Sequence, residues 1–332
     1  MDSLRSLRRL SYVALAIAFT HLVFGAIVRI SGSGMGCGDH WPRCYERWFP
    51  PMDRPDLVVE WTHRLLASIL VVAIAALTIV AFRRRREARV GGRGGVLRAA
   101  VLALTAVLTA ALLGGLTVRL ANTTYATVAH WVVAMALFAT LGAAAVRAGA
   151  LGGDRLSALT QPTSPRTARA ATAAAMLAFV TVALGGLTAK YPSAAIACRS
   201  FPLCGRDPAA GAAATYVQLT HRILALLLLF HLIGVVVALA RRRREAPVIV
   251  MAARVALGLV VVQITVAAAM VLTTMPPVLR SLHEAVGVSV WLGAFTFAYL
   301  TRAALGAPGR ERIAKGDESA VSIAQWEVLS EK

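Results

Sequence analysis

The sequence predicts an all-α integral membrane protein of eight transmembrane helices, arranged as two pseudo-symmetric four-helix bundles. Three observations carry that expectation. The chain is 58% hydrophobic over 332 residues, too apolar for a soluble enzyme. Its apolar residues gather into eight stretches, each long enough to cross a hydrocarbon core of about 30 Å at about 1.5 Å per residue. One five-residue motif also occurs twice, as Glu60-Trp-Thr-His-Arg64 and Gln218-Leu-Thr-His-Arg222, each time opening a long apolar run.

The stretches fall near 11–29, 57–82, 98–119, 124–147, 167–188, 215–240, 247–272 and 279–303. The first follows Arg5, Arg8 and Arg9, as the core of a signal peptide would. It is long and has no convincing small-residue cleavage site, so it reads as a retained helix. A formal net charge of +19 raises nucleic acid as a partner, but the basic residues lie in blocks between apolar runs, with no basic stripe among aromatics. The blocks are Arg5, Arg8 and Arg9; Arg83–Arg86; Arg147, Arg155, Arg166 and Arg169; Arg241–Arg244; and the C-terminal tail. With eight spans they all fall on one side, which the positive-inside rule makes the cytoplasm. The chain is then a multi-pass cell-membrane protein with both termini cytoplasmic and loops 30–56 and 189–214 outside.

Each of those loops holds two of the four cysteines. An oxidising compartment favours the disulfides Cys37–Cys44 and Cys198–Cys204, and both spacings can close a short loop. The alternative is a metal site of Cys37, His40 and Cys44, a weak zinc signature without a second Cys/His pair.

The repeat extends beyond the motif. Gly25-Ala-Ile-Val-Arg29 before the first cysteine loop resembles Gly185-Gly-Leu-Thr-Ala-Lys190 before the second, and Gly114-Gly-Leu-Thr-Val-Arg119 is a similar helix end. Each half runs helix, cysteine loop, helix, basic loop, helix, short turn, helix. Four spans per unit send both copies into the membrane in the same direction, related by an axis along the membrane normal. The expected organisation is a bundle over 1–150, a cytoplasmic linker over 151–166, a second bundle over 167–305 and a flexible cytoplasmic tail over 306–332.

His63 and His221 match between the halves, as do His130 and His283. All four sit four to six residues into their apolar runs, within about 10 Å of the outer helix ends. Two histidines per bundle, on alternate helices at one depth, suit bis-imidazole ligation of a haem iron. Interhelical hydrogen bonding is the other role for such residues, but an intramembrane ionisable group repeated fourfold points to ligation. His21 and His231 lack the pattern and read as structural, pairing with polar groups in the bundle. His40 reads as a loop residue, with access to an outer haem edge as the sharper alternative. Glu60 shares a helix face with His63 and reads either as a general base or as an interfacial carboxylate beside Arg54 or Arg64. A di-iron carboxylate site would need a second Glu-x-x-His pair and further glutamates, which Gln218 and Glu284 do not supply.

These features together resemble the haem A synthase family over about residues 11–303: the Glu-x-x-His-Arg motif, its Gln-x-x-His-Arg echo, the cysteine pairs, and His130 and His283. The resemblance implies an oxidoreductase that oxidises the C8 methyl of haem O to a formyl group by successive hydroxylations, making haem A. It implies that His63 and His130 hold the substrate haem, that His221 and His283 hold a haem b, and that Glu60 is the functional carboxylate. Cys37 and Cys44 correspond to the family's first-loop pair, while the second pair is one residue closer in sequence. Expected partners are haem O, haem O synthase, oxidase assembly factors and membrane lipid, with a homo-oligomer compatible and no nucleic acid. Arg64 and Arg222, together with Arg29, Arg119, Lys190 and Arg280 near outer helix ends, are candidates for propionate contacts or for snorkelling to headgroups.

The change from Glu60 to Gln218 suggests one catalytic half and one supporting half that passes electrons. Two other functions fit parts of the pattern. A quinone-linked two-haem electron carrier would keep both haems unchanged. A transporter of parallel repeats would show broken helices and a midplane polar site, whereas the polar groups here cluster near the outer ends.

Overall fold

The computed structural model describes residues 4–45, 47–158, 163–205, 207–242 and 245–305. Among them are eight helices long and apolar enough to cross a membrane: α1 (Arg5–Ile30), α2 (Pro55–Arg83), α3 (Val96–Arg119), α4 (Thr124–Arg147), α5 (Pro165–Lys190), α6 (Gly211–Arg242), α7 (Pro247–Leu272) and α8 (Pro277–Leu305). The rest of the regular structure is short helical turns and one bridge, Cys44 with Arg47. This is the all-α membrane architecture that the hydrophobic stretches predict. Several helices start before their apolar run, α1 at Arg5 and α6 at Gly211, because backbone hydrogen bonding continues into polar sequence. Proline opens α2, α5 and α7, where a helix has no intrahelical use for the missing N–H. The Ser164 hydroxyl caps α5 by accepting from the Thr167 N–H at 3.2 Å.

Within each half the chain closes on itself. α1 packs on α2, α2 on α3, α3 on α4, and α4 returns to α1; α5, α6, α7 and α8 follow the same cycle. The halves meet where α1 packs on α8 and where α4 packs on α5 and α8. One buried apolar core runs through all eight helices, with Leu7, Ile74, Ala100, Met135, Ala171, Leu232, Ile249 and Phe297 among its members. Its many alanines allow close helix approach, the usual device of membrane helix packing. At the junction the Trp291 indole donates to the Met135 carbonyl at 2.9 Å, and Arg147 donates to the Tyr299 hydroxyl. The expected linker contains a short 3-10 helix, Gly153–Ala158. The expected tail, 306–332, lies outside the described residues.

The turns inside the halves also match. Ala121 and Asn122, between α3 and α4, have positive φ, and so do Thr274 and Met275 between α7 and α8. The Asn122 amide donates to the Gly34 carbonyl at 2.7 Å and so ties this turn to the first cysteine loop.

Candidate functional site: two clamped loops and a histidine cavity

The repeated motif divides its labour along the helix. Residues four apart lie on one helix face, and in α2 these are Glu60 and Arg64, joined at 2.5 Å between Oε1 and Nη2. The other Glu60 oxygen accepts the Cys37 backbone N–H at 2.8 Å. Arg64 Nη1 donates to the carbonyls of His40, Pro42 and Arg43 at 2.8, 3.2 and 2.9 Å. Between these anchors Cys37 and Cys44 form a disulfide, buried against Leu57. The second half repeats the clamp. Gln218 Oε1 accepts the Cys198 N–H at 2.6 Å and its amide nitrogen donates to the Ala195 carbonyl at 3.3 Å. Arg222 donates to the carbonyls of Cys198, Ser200, Pro202 and Leu203, and Cys198 and Cys204 form the second disulfide. Asp207 closes this loop against Arg199. The Ala209 N–H, and after it Arg199, holds the Asp207 carboxyl below its ordinary range.

Both arginines therefore commit donors to loop backbone, Arg64 through Nη1 and Arg222 through Nη1 and Nη2. The sequence offered them as propionate contacts; both hold a cysteine loop, and Arg64 also lines the histidine cavity. Arg54, offered as a neighbour of Glu60, pairs instead with Asp56 at 2.8 Å.

The motif histidines point elsewhere. His63, His130 and Glu60 line one cavity of about 840 Å³ with His21, Trp61 and Trp131, within the size range of small-molecule sites. The glycines of the repeated helix ends seat the imidazoles. A Cβ at Gly25 would stand 3.1 Å from His63 Cε1, one at Gly114 3.3 Å from His130 Cε1, and one at Gly185 3.0 Å from His221 Cε1. A side chain at any of the three would crowd its ring, which would have to shift by a few tenths of an ångström. His130 Nδ1 lies 2.9 Å from the Ala110 carbonyl, and His221 Nδ1 lies 3.0 Å from the Thr181 carbonyl. A carbonyl only accepts, so Nδ1 carries the proton and Nε2 keeps its lone pair in both residues.

The other two rings are held differently. His63 stacks on His21, with centroids 4.3 Å apart and planes 10° from parallel. Its Nδ1 and the His21 Nε2 are buried without a hydrogen-bond partner among the described residues. At His283 the Gln263 amide nitrogen lies 3.1 Å from Nδ1 and 3.2 Å from Nε2 and donates to the His283 carbonyl at 3.0 Å, while the Gln263 oxygen has no partner among the described residues.

The cavity is not confined to the N-terminal half. Gly186, Ala189 and Lys190 of α5 and Glu284 of α8 also line it, and Arg29 bridges to Glu284 at 3.0 Å. Trp131, next to His130, donates to the Val182 carbonyl at 3.4 Å and packs against Gly186. Away from the cavity, His231 bonds the Ala170 carbonyl at 2.9 Å, and His40 stays in the loop beside Tyr45. With all four cysteines in disulfides, no group of three or more His, Cys, Asp or Glu among the described residues is placed to hold a bare metal ion.

A family model described as cytochrome oxidase assembly protein matches residues 8–295. Several curated relatives match along most of their length. A heme A synthase of Geobacillus kaustophilus is 26% identical over 291 residues, covering 87% of this chain and 89% of the relative. Another, of Shouchella clausii, is 28% identical, covering 81% and 88%; a third, of Bacillus pumilus, is 27% identical, covering 67% and 71%. The chain belongs to the haem A synthase family. In this member, reasoning from sequence missed the His21 stack, the Gln263 contact and the reach of α5 and α8 into the cavity. The repeated glycines were visible, but their role as seats for the histidines needed the packing of neighbouring helices.

Proposed function

We propose that this protein is a haem A synthase, an oxidoreductase that converts the C8 methyl of haem O to a formyl group by successive hydroxylations. The observation that carries this reading is the cavity in which Glu60, His63 and His130 meet, in a chain of this family. Overall, a methyl group and one water give a formyl group, four protons and four electrons. The site therefore needs a proton acceptor and an outlet for electrons. The Cys37 N–H and Arg64 occupy two of about four acceptor positions on the Glu60 carboxylate. The remainder is available to take a proton or orient water near the methyl group. His130 offers a free Nε2, and His63 has an unpartnered ring nitrogen; these two hold the substrate haem.

In the second half, His221 and His283 would hold a resident haem b, which when bound would pass single electrons. His221 Nε2 is free. Gln263, whose amide nitrogen donates to the His283 carbonyl at 3.0 Å and lies against both ring nitrogens, holds the His283 end of that pair. The matching cycles of helix contacts support two pseudo-symmetric bundles. The arginine blocks support cytoplasmic termini and extracytoplasmic cysteine loops. Haem O synthase would supply the substrate and oxidase assembly factors would take the product.

Pigment extraction after supplying haem O to the purified protein tests the proposal. Haem A or a hydroxylated haem is expected beside unchanged haem b. Two unchanged haems would make the protein an electron carrier instead.

A further inference from the structure

At the cysteine-loop end, α1, α5 and α8 bring three cations together with one carboxylate. Arg29 pairs with Glu284. Lys190 and Arg280 stand close enough to Arg29 to feel its charge, and neither side chain has a hydrogen-bond or ion-pair partner among the described residues. All three cations are half-buried, and Arg29, Lys190 and Glu284 line the histidine cavity. Three positive charges against one negative leave an excess of two. Unpaired charge away from bulk water is costly and is normally matched by a counter-charge. A porphyrin with two carboxylates carries that complement, and Arg and Lys are the donors that bind carboxylates most strongly.

We propose that Lys190, with Arg29 beside it and Arg280 adding charge, receives the carboxylates of the porphyrin bound in the N-terminal cavity. The inference rests on the haem reading of that cavity and adds to it a recognition residue from the other half. Lys190 ends α5, so the site of the N-terminal half is incomplete without the C-terminal half. Snorkelling of Lys190 to an anionic lipid headgroup uses the same chemistry and must be separated from it.

The test uses the purified full chain in nanodiscs of phosphatidylcholine, with zinc protoporphyrin IX and its dimethyl ester as probes. Binding is read from quenching of tryptophan fluorescence, since Trp41, Trp48, Trp61 and Trp131 line the cavity. The wild type should prefer the free acid. Lys190→Gln should lose on the order of tenfold in affinity for the free acid and little for the ester, with Lys190→Arg restoring the preference. Equal weakening of both probes, or an unchanged preference in Lys190→Gln, would overturn the inference while leaving the haem reading intact. So would an effect seen only when phosphatidylglycerol is added, since the headgroup would then be the partner. A wild type that binds neither probe would overturn the haem reading and this inference with it.

Discussion

Glu60 and Gln218 accept the same bond, the N–H of the first cysteine in the following disulfide loop, at 2.8 and 2.6 Å. Glutamine meets that structural need, so the fold alone does not require a carboxylate in the first half. The arginines confirm the equivalence: Arg64 divides its donors between Glu60 and three loop carbonyls, while Arg222 gives all of its bonds to loop carbonyls. Around the histidines the halves diverge further. His221 is fixed through the Thr181 carbonyl, while the residue matching Thr181 in the first half is His21, stacked on a His63 that has no such bond. A ligand whose second nitrogen donates to a carbonyl is a firmer, more basic ligand than one without that partner. Each half has one histidine of each kind, because His130 is anchored through the Ala110 carbonyl as His221 is through Thr181, and the halves differ in what holds the other ring, His21 at His63 and Gln263 at His283.

The largest effect is expected at Glu60. Glu60→Gln turns the first clamp into a copy of the second, keeping the Cys37 bond and removing the charge. Product formation should fall by about 10²-fold or more, with haem O or a hydroxylated intermediate accumulating and haem binding retained. Gln218→Glu should leave product formation close to normal. Full activity in Glu60→Gln would remove Glu60 from the chemistry; loss of haem binding would make its role structural.

Next come the loop clamps. Arg64→Ala and Arg222→Ala each leave several loop carbonyls without a donor, so each should cost about 1–3 kcal/mol in thermal unfolding. Arg64→Ala should cost more, because it also strands the Glu60 carboxylate, whose side chain is only 5% exposed. Equal losses would show that the ion pair adds nothing to the clamp.

The smallest effect should come from His21→Thr, which gives the first half the residue found in the second. Loss of the stack is worth on the order of 1 kcal/mol, about a fivefold faster release of the N-terminal haem. Unchanged release would show that His63 is held by Gly25 and its own helix alone.

Much of this was legible in the sequence, for local reasons. A membrane span needs only a continuous apolar run, and the halves announce themselves through motifs of five or six residues. The site was legible where it repeats: His63 with His221, His130 with His283, and one cysteine pair in each loop. The His21 stack was hidden because its counterpart is a threonine, so no repeat marked it, and the stack depends on how α1 lies against α2. The Glu60 bond to Cys37 joins residues 23 apart through a loop path that spacing does not reveal. The part played by α5 and α8 in the first cavity depends on how the halves meet, and periodicity within one helix carries no such information.

The central claim is that each half serves a different haem, and paired ligand variants test it most directly. His63→Met with His130→Met should abolish haem A while keeping an unchanged b-type pigment in the purified protein. His221→Met with His283→Met should remove the b-type absorbance while haem O still binds. If both double variants lose both pigments in the same proportion, the halves do not divide the work and the account is wrong.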